Sequence, residues 1–155
     1  MTATGDIRNV ILLGHGGSGK TSLTEAILHT AGAIGRLGSV DEKTTVSDYY
    51  DEEKEHQHSI LASVVHTQFN GKLINVIDAP GAPDFVGPAI AAMPAAETAI
   101  IVINAASGIE TNTRKLFALA ADLGKPRMIV INKLAAENVD LPELIKNIQD
   151  HFGSQ

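Results

Sequence analysis

Three short stretches of the sequence carry residue types that suit phosphate chemistry. The first, "GHGGSGKT" at residues 14–21, fits the pattern G-x-x-x-x-G-K-[ST] at Gly14, Gly19, Lys20 and Thr21. Gly14, His15, Gly16, Gly17, Ser18 and Gly19 would wrap backbone N–H groups around phosphate oxygens, because small residues leave those amides unobstructed. Lys20 would bring a point charge to the outer phosphates and the Thr21 hydroxyl could ligate Mg²⁺, with Ser22 completing the binding set. The second stretch, "DAPG" at residues 78–81, fits D-x-x-G: Asp78 would hold Mg²⁺ through water, and the Gly81 N–H would meet a γ-phosphate. Asn132-Lys133 is the third. The asparagine could bridge the first stretch to a purine base, and the lysine stem could lie along the base face. Taken alone, the second and third stretches are no more than turns. In order behind the first, each at the end of an apolar run, they read as one nucleotide site.

These groups need elements to carry them. "NVILL" (9–13) is a short apolar run leading straight into the glycine-rich stretch, and "SLTEAILHTAG" places Leu23, Ile27 and Ala31 at helical spacing before a capping Gly32. Two strand-like runs, "ILASVVHTQF" and "KLINVID", flank Asn70-Gly71, a strong hairpin signal. "TAIIVINA" and "PRMIVIN" are continuous apolar runs, as strands buried on both faces require. The stretch "ETNTRKLFALAADLG" between them, and "LPELIKNIQDHFG" at the end, read as amphipathic helices. "VGPAIAAMPAAE" reads as a helix that Pro94 should shorten or kink. Residues 33–59 show no apolar periodicity and read as one long irregular segment, of the kind that is commonly functional or mobile. The sum is a three-layer α/β, P-loop fold with a mostly parallel sheet, one antiparallel edge strand, about five strands and four helices.

The 155-residue chain is one domain by size, with 44% hydrophobic and 19% charged residues, so it can bury a core and is not a disordered sequence. It has no cysteine, which excludes a disulfide framework and a thiolate metal site. Neither a leader-like N-terminus nor a membrane-length apolar run is visible, and a cytoplasmic location is expected. The net charge of −6 argues against direct, sequence-specific nucleic-acid binding. Asp41, Glu42, Asp48, Asp51, Glu52, Glu53 and Glu55 outnumber Lys43 and Lys54, and this acidic patch reads as a solvated loop. His56 and His58 could meet a metal if their segment were extended, but no third ligand is marked.

In order and spacing the three motifs resemble the translational GTPases, elongation factor G most closely. "GHGGSGKTSLTEAIL" looks like the start of that family's G domain, and "DAPGAPDFVG" is similar to its D-T-P-G-H-V-D-F segment. "RMIVINKLAAENVD" stands in the place of its N-K-M-D region, and "KTTVSDYYDEEKEHQHSI" is similar to the first switch of the elongation-factor-G-like paralogues. The resemblance implies Mg²⁺ as cofactor, GTP and GDP as substrate and product, Lys20, Asp78 and Gly81 in catalysis, and the ribosome as a partner. It also puts Ser59 with Thr21 and Asp78 at the metal. Three departures carry consequences. Ala82 stands where the family has a water-orienting histidine, so hydrolysis should be slow. Gly17 replaces a frequent aspartate, and Ala135 replaces the carboxylate that grips guanine. Each charge-assisted hydrogen bond lost there is worth roughly 1.5–3 kcal/mol, so GTP affinity should fall and purine discrimination relax. By this resemblance residues 1–155 form a single, truncated GTP-binding domain, without a sixth strand, a base-closing Ser-Ala loop or the family's later domains. A non-hydrolysing docking module is the alternative, with a P-loop ATPase behind it.

Overall fold

Apolar runs make the strands, and their pairing sets the architecture. The computed structural model describes residues 2–153. Its five strands are β1 (Ile7–Leu13), β2 (Ser63–Phe69), β3 (Lys72–Asp78), β4 (Thr98–Asn104) and β5 (Arg127–Asn132). They lie in the order β2-β3-β1-β4-β5, with β2 antiparallel to β3 and every other pair parallel. Asn70 and Gly71 join β2 to β3 with φ of 48° and 75°, the two positive values that a tight hairpin turn of matching twist needs. Register places Leu12 beside Asp78, Leu13 beside Ile101 and Asn104 beside Asn132. The carboxyl ends of the four parallel strands therefore share one edge; β3 and β4 flank β1, so successive connections run to opposite sides of it, which opens a crevice there.

The helices are α1 (Lys20–Thr30), α2 (Asp51–His56), α3 (Val86–Ala92), α4 (Thr111–Asp122) and α5 (Leu141–Phe152). That is one more than the apolar pattern predicts. The extra helix, α2, lies inside the segment read as irregular, and it has no apolar residue to betray it. Asp51, Glu52 and Glu53 fill its first turn, where the helix dipole favours acids, and Glu53 accepts the Tyr50 N–H at 3.4 Å. As Pro94 requires, α3 ends at Ala92 and passes into a 3-10 turn, Met93–Ala95.

Alternation along the strands divides the core. Ile11, Leu13, Ile77, Ile101 and Ile103 face α3, α4 and α5, where Ala89, Met93, Leu116, Ala120, Leu144 and Ile148 meet them. Leu12, Val76 and Val102 alternate to the other face, the side on which α1 packs, and all three are fully buried. At full burial each such side chain contributes about 1.5–3 kcal/mol to holding the sheet that carries the site. Among the described residues no helix is long and apolar enough to cross a membrane.

Candidate nucleotide site

The turn from β1 into α1 is closed by a residue from far down the chain. Gly19 holds φ at 91° as the residue before α1, and a Cβ there would collide with the Asn132 side-chain nitrogen. Asn132 Nδ2 donates to the carbonyls of Ser18 (3.1 Å) and Gly19 (3.4 Å), and its Oδ1 accepts the Lys133 N–H at 2.8 Å. The end of β5 is thus latched to the glycine-rich loop. Lys20, only 6% exposed, donates from Nζ to the carbonyls of His15 (2.9 Å) and Gly14 (3.2 Å). Burial pulls its pKa down to about 8, against the charges of Asp78, Glu110 and Asp48, which raise it. Gly81 comes so close that a Cβ on it would strike Lys20 Nζ and lie 2.7 Å from the His15 carbonyl oxygen. Any larger residue would push the 78–81 turn off the loop. From α4, the buried Asn112 donates to the Gly81 carbonyl at 2.9 Å and holds that turn in place.

A hard-oxygen set lies beside the lysine. Asp78 is 1% exposed, and neither carboxylate oxygen makes a hydrogen bond of acceptable geometry. Burial pushes it up to about 6; the neighbouring Thr21 hydroxyl, Lys20 and the Ser47 hydroxyl pull the other way. Thr21 Oγ1 lies 3.3 Å from Ser59 Oγ, although the two residues are far apart in sequence. Ser59 in turn donates to Asp48 Oδ1 at 2.6 Å. Among the described residues no three His, Asp or Glu side chains converge as a self-contained metal site. A divalent ion here would rely on hydroxyls, one buried carboxylate and ligand oxygens. That donor set fits Mg²⁺, which keeps waters and takes few protein carboxylates, and the unpartnered Asp78 oxygens are the kind of buried group such a cation satisfies.

A cavity of about 570 Å³ joins these groups. Gly16, Gly17 and residues 19–22 line it, with Ser59, Gly81 and Lys133; Gly14, His15, Ser18, Asp78 and Asn132 do not. Ala82 lines it too, whereas Ala135 is exposed in the turn beyond β5. Asp140, further along that turn, is committed to capping α5, accepting the Glu143 N–H at 3.0 Å.

In the acidic stretch from Asp41 to Glu55, expected to be a solvated loop, Asp41, Glu42, Asp51, Glu52 and Glu55 are exposed, but two acids are not. Asp48 and Glu53 are 3% and 2% exposed. Glu53 Oε1 accepts the Ile60 (2.9 Å) and Leu61 (3.1 Å) N–H groups. Glu25, fully buried in α1, accepts from Gly38 (2.9 Å) and Val46 (2.6 Å). Asp48, Glu25 and Asn112 lie outside the three phosphate-site motifs. Only the spacing of Asp48 before Ser59, inside the switch-like stretch, hinted at a role. Nor is the His56–His58 pair extended, since His56 closes α2.

The elongation factor Tu GTP binding domain family matches residues 5–155. The chain belongs to this family. As a GTP-binding domain of the translational GTPases, it is 39% identical over 151 residues to an elongation factor G-like protein of Mycobacterium tuberculosis (strain CDC 1551 / Oshkosh). That match covers 97% of this chain and 21% of the relative. The tetracycline resistance protein TetO of Campylobacter jejuni is 35% identical over 149 residues, covering 96% of this chain and 23% of TetO. A crystal structure of a Thermus thermophilus protein superposes with a TM-score of 0.91 at 40% identity, over 95% of this chain and 22% of that one. The GTP-binding domain therefore spans about a fifth of the length of these relatives.

Proposed function

We propose that this GTP-binding domain binds GTP with Mg²⁺ and hydrolyses it slowly, as the nucleotide-responsive part of an elongation factor G-like translation factor acting on the ribosome in the cytoplasm. The observation that carries the reading is the convergence, on one cavity, of the buried Lys20 ammonium and the Thr21–Ser59 hydroxyl pair, with the unpartnered Asp78 carboxylate beside Lys20 and Thr21. Lys20 rests on two loop carbonyls, weak stand-ins for phosphate oxygens, and would exchange them for the outer phosphates. The amides of residues 14–19 would close on the phosphate chain, and the Gly81 N–H would meet its far end. Thr21, Ser59 and Asp78 would hold Mg²⁺, which when bound neutralises charge on the outer phosphates. Lys133 would lie along the base, with Asn132 holding base and loop in register.

A second reading, a nucleotide-binding or docking module that does not hydrolyse, draws on one feature: Ala82 presents only a methyl to the cavity. Titration calorimetry with GTP, GDP and ATP, with and without Mg²⁺, followed by a turnover assay, separates the readings. GTP should bind with Mg²⁺ dependence and be converted slowly to GDP. Binding of ATP more tightly than GTP would overturn the proposal. Tight binding with no conversion would leave the docking module standing.

A further inference from the structure

Hydrolysis needs a water molecule held in line with the bond that breaks, and positioning is most of what a protein supplies to phosphoryl transfer. Ala82, the first residue after the 78–81 turn, has no side-chain atom that could bind water. Among the residues that line the cavity with Ala82, one is a histidine. His58 lines the cavity with Gly81, Ala82 and Lys20. Its ring centroid lies 6.4 Å from that of Phe85, which ends the 3-10 turn Pro83–Phe85 directly after Ala82.

His58 is not carried on loose chain. Gln57 takes a left-handed φ of 56° after α2 and turns the backbone, and the His58 N–H donates to the Glu53 carbonyl at 3.2 Å. The next residue, Ser59, is tied to buried Asp48, and the two after it to buried Glu53. The backbone is anchored on both sides while the ring itself stays open to solvent. That combination suits a group that must hold one water in a fixed place.

We infer that His58 is a catalytic residue for GTP hydrolysis, orienting the attacking water by accepting its hydrogen bond at a ring nitrogen, the task Ala82 cannot perform. The inference rests on the GTPase reading above. In the step, the water oxygen bonds to the γ-phosphorus. The bond from that phosphorus to the β–γ bridging oxygen breaks, and GDP leaves with the electron pair. One water proton stays on inorganic phosphate and the other passes to solvent. Neutral imidazole offers one acceptor nitrogen and keeps its own proton at the other, so it orients water without being consumed.

Single-turnover hydrolysis at saturating GTP and Mg²⁺ compares the unmodified chain with His58→Ala, His58→Phe and His58→Gln. The phenylalanine keeps a ring against Phe85 and loses the acceptor; the glutamine keeps an acceptor. Alanine and phenylalanine should each slow turnover at least about tenfold, glutamine should retain most of it, and GDP affinity should hold within about twofold. A second readout uses no turnover. Affinity for GDP with aluminium fluoride, a mimic of the transferring phosphoryl group, should weaken in His58→Ala while affinity for GDP alone does not. Adding Ala82→His to His58→Ala should restore part of the rate. Unchanged turnover in both the alanine and phenylalanine variants overturns the assignment. A chain that binds GTP without converting it overturns the assignment alone. One that binds no GTP overturns the nucleotide reading and the assignment with it.

Discussion

Asp78 is buried with no hydrogen-bond partner, an arrangement that costs stability and is found most often at functional sites. Asp78→Asn removes the charge, and its amide can donate to the Thr21 and Ser47 hydroxyls nearby. The nucleotide-free variant should gain about 1–3 kcal/mol in urea unfolding and lose at least about tenfold in Mg²⁺-dependent GTP affinity. The pH dependence follows from the raised pKa. With a folded value of about 6 against an ordinary 3.8, the folded chain holds this proton where the unfolded chain has lost it. Its stabilising share is complete below 3.8 and disappears as pH rises through about 6. The stability difference between Asp78→Asn and the unmodified chain should therefore widen across that window and stay flat above it. Ala135 poses a question of recognition instead. Ala135→Asp returns a carboxylate to the turn beyond β5, and calorimetry should show GTP, but not ATP, binding about tenfold or more tightly. A rise for both nucleotides would mean the turn does not read the base.

At the scale of elements, residues 33–61 are held by acids. Glu25 on α1 accepts two backbone N–H groups from this segment, and Glu53 on α2 accepts two more beyond it. Glu25→Ala strands the amides of Gly38 and Val46, at about 1–3 kcal/mol each where they stay buried. Hydrogen exchange should quicken at Gly38, Val46 and the residues between, while β1 and β4 keep their protection. Glu25→Gln should fall between the two, because one of its termini is a donor and meets an N–H head-on. The strands were legible from their apolar runs, and so were α4 and α5 from their periodicity. By contrast α2 was not, since six polar residues carry no apolar period. Nor did the buried side of α1 follow its apolar residues: Lys20, Thr24, Glu25 and Leu28 are buried, because that side faces the site and the acid-held segment as well as the sheet.

Across the whole molecule the site is assembled from four separated stretches, at residues 14–21, 48–59, 78–82 and 132–133. Each is moored to a different element. A ligand that touches all of them stabilises the fold as a unit. GTP with Mg²⁺ at a hundredfold excess over Kd should add about 2.7 kcal/mol, read as a rise in Tm that scales with the logarithm of nucleotide concentration. Asp78→Asn should blunt the rise with Mg²⁺ and leave the nucleotide-free Tm higher. A Tm indifferent to GTP would count against the nucleotide site as a whole.

By itself the sequence determined what depends on near neighbours: the glycine-rich loop between strand and helix, the hairpin at Asn70-Gly71, the stop at Pro94 and the apolar runs of the sheet. Strand order stayed open, because parallel strands with helical crossovers admit more than one arrangement, and pairing across the sheet chose among them. Only the tertiary structure decided which charges are buried and what they hold. Whether an acid in a polar stretch is solvated or buried turns on groups brought from elsewhere in the chain. Asp48 meets Ser59, Glu25 meets Gly38 and Val46, and His58 reaches the cavity beside Ala82 because the fold places them there. Burial of charge is a property of the assembled surroundings, and spacing along the chain does not encode it.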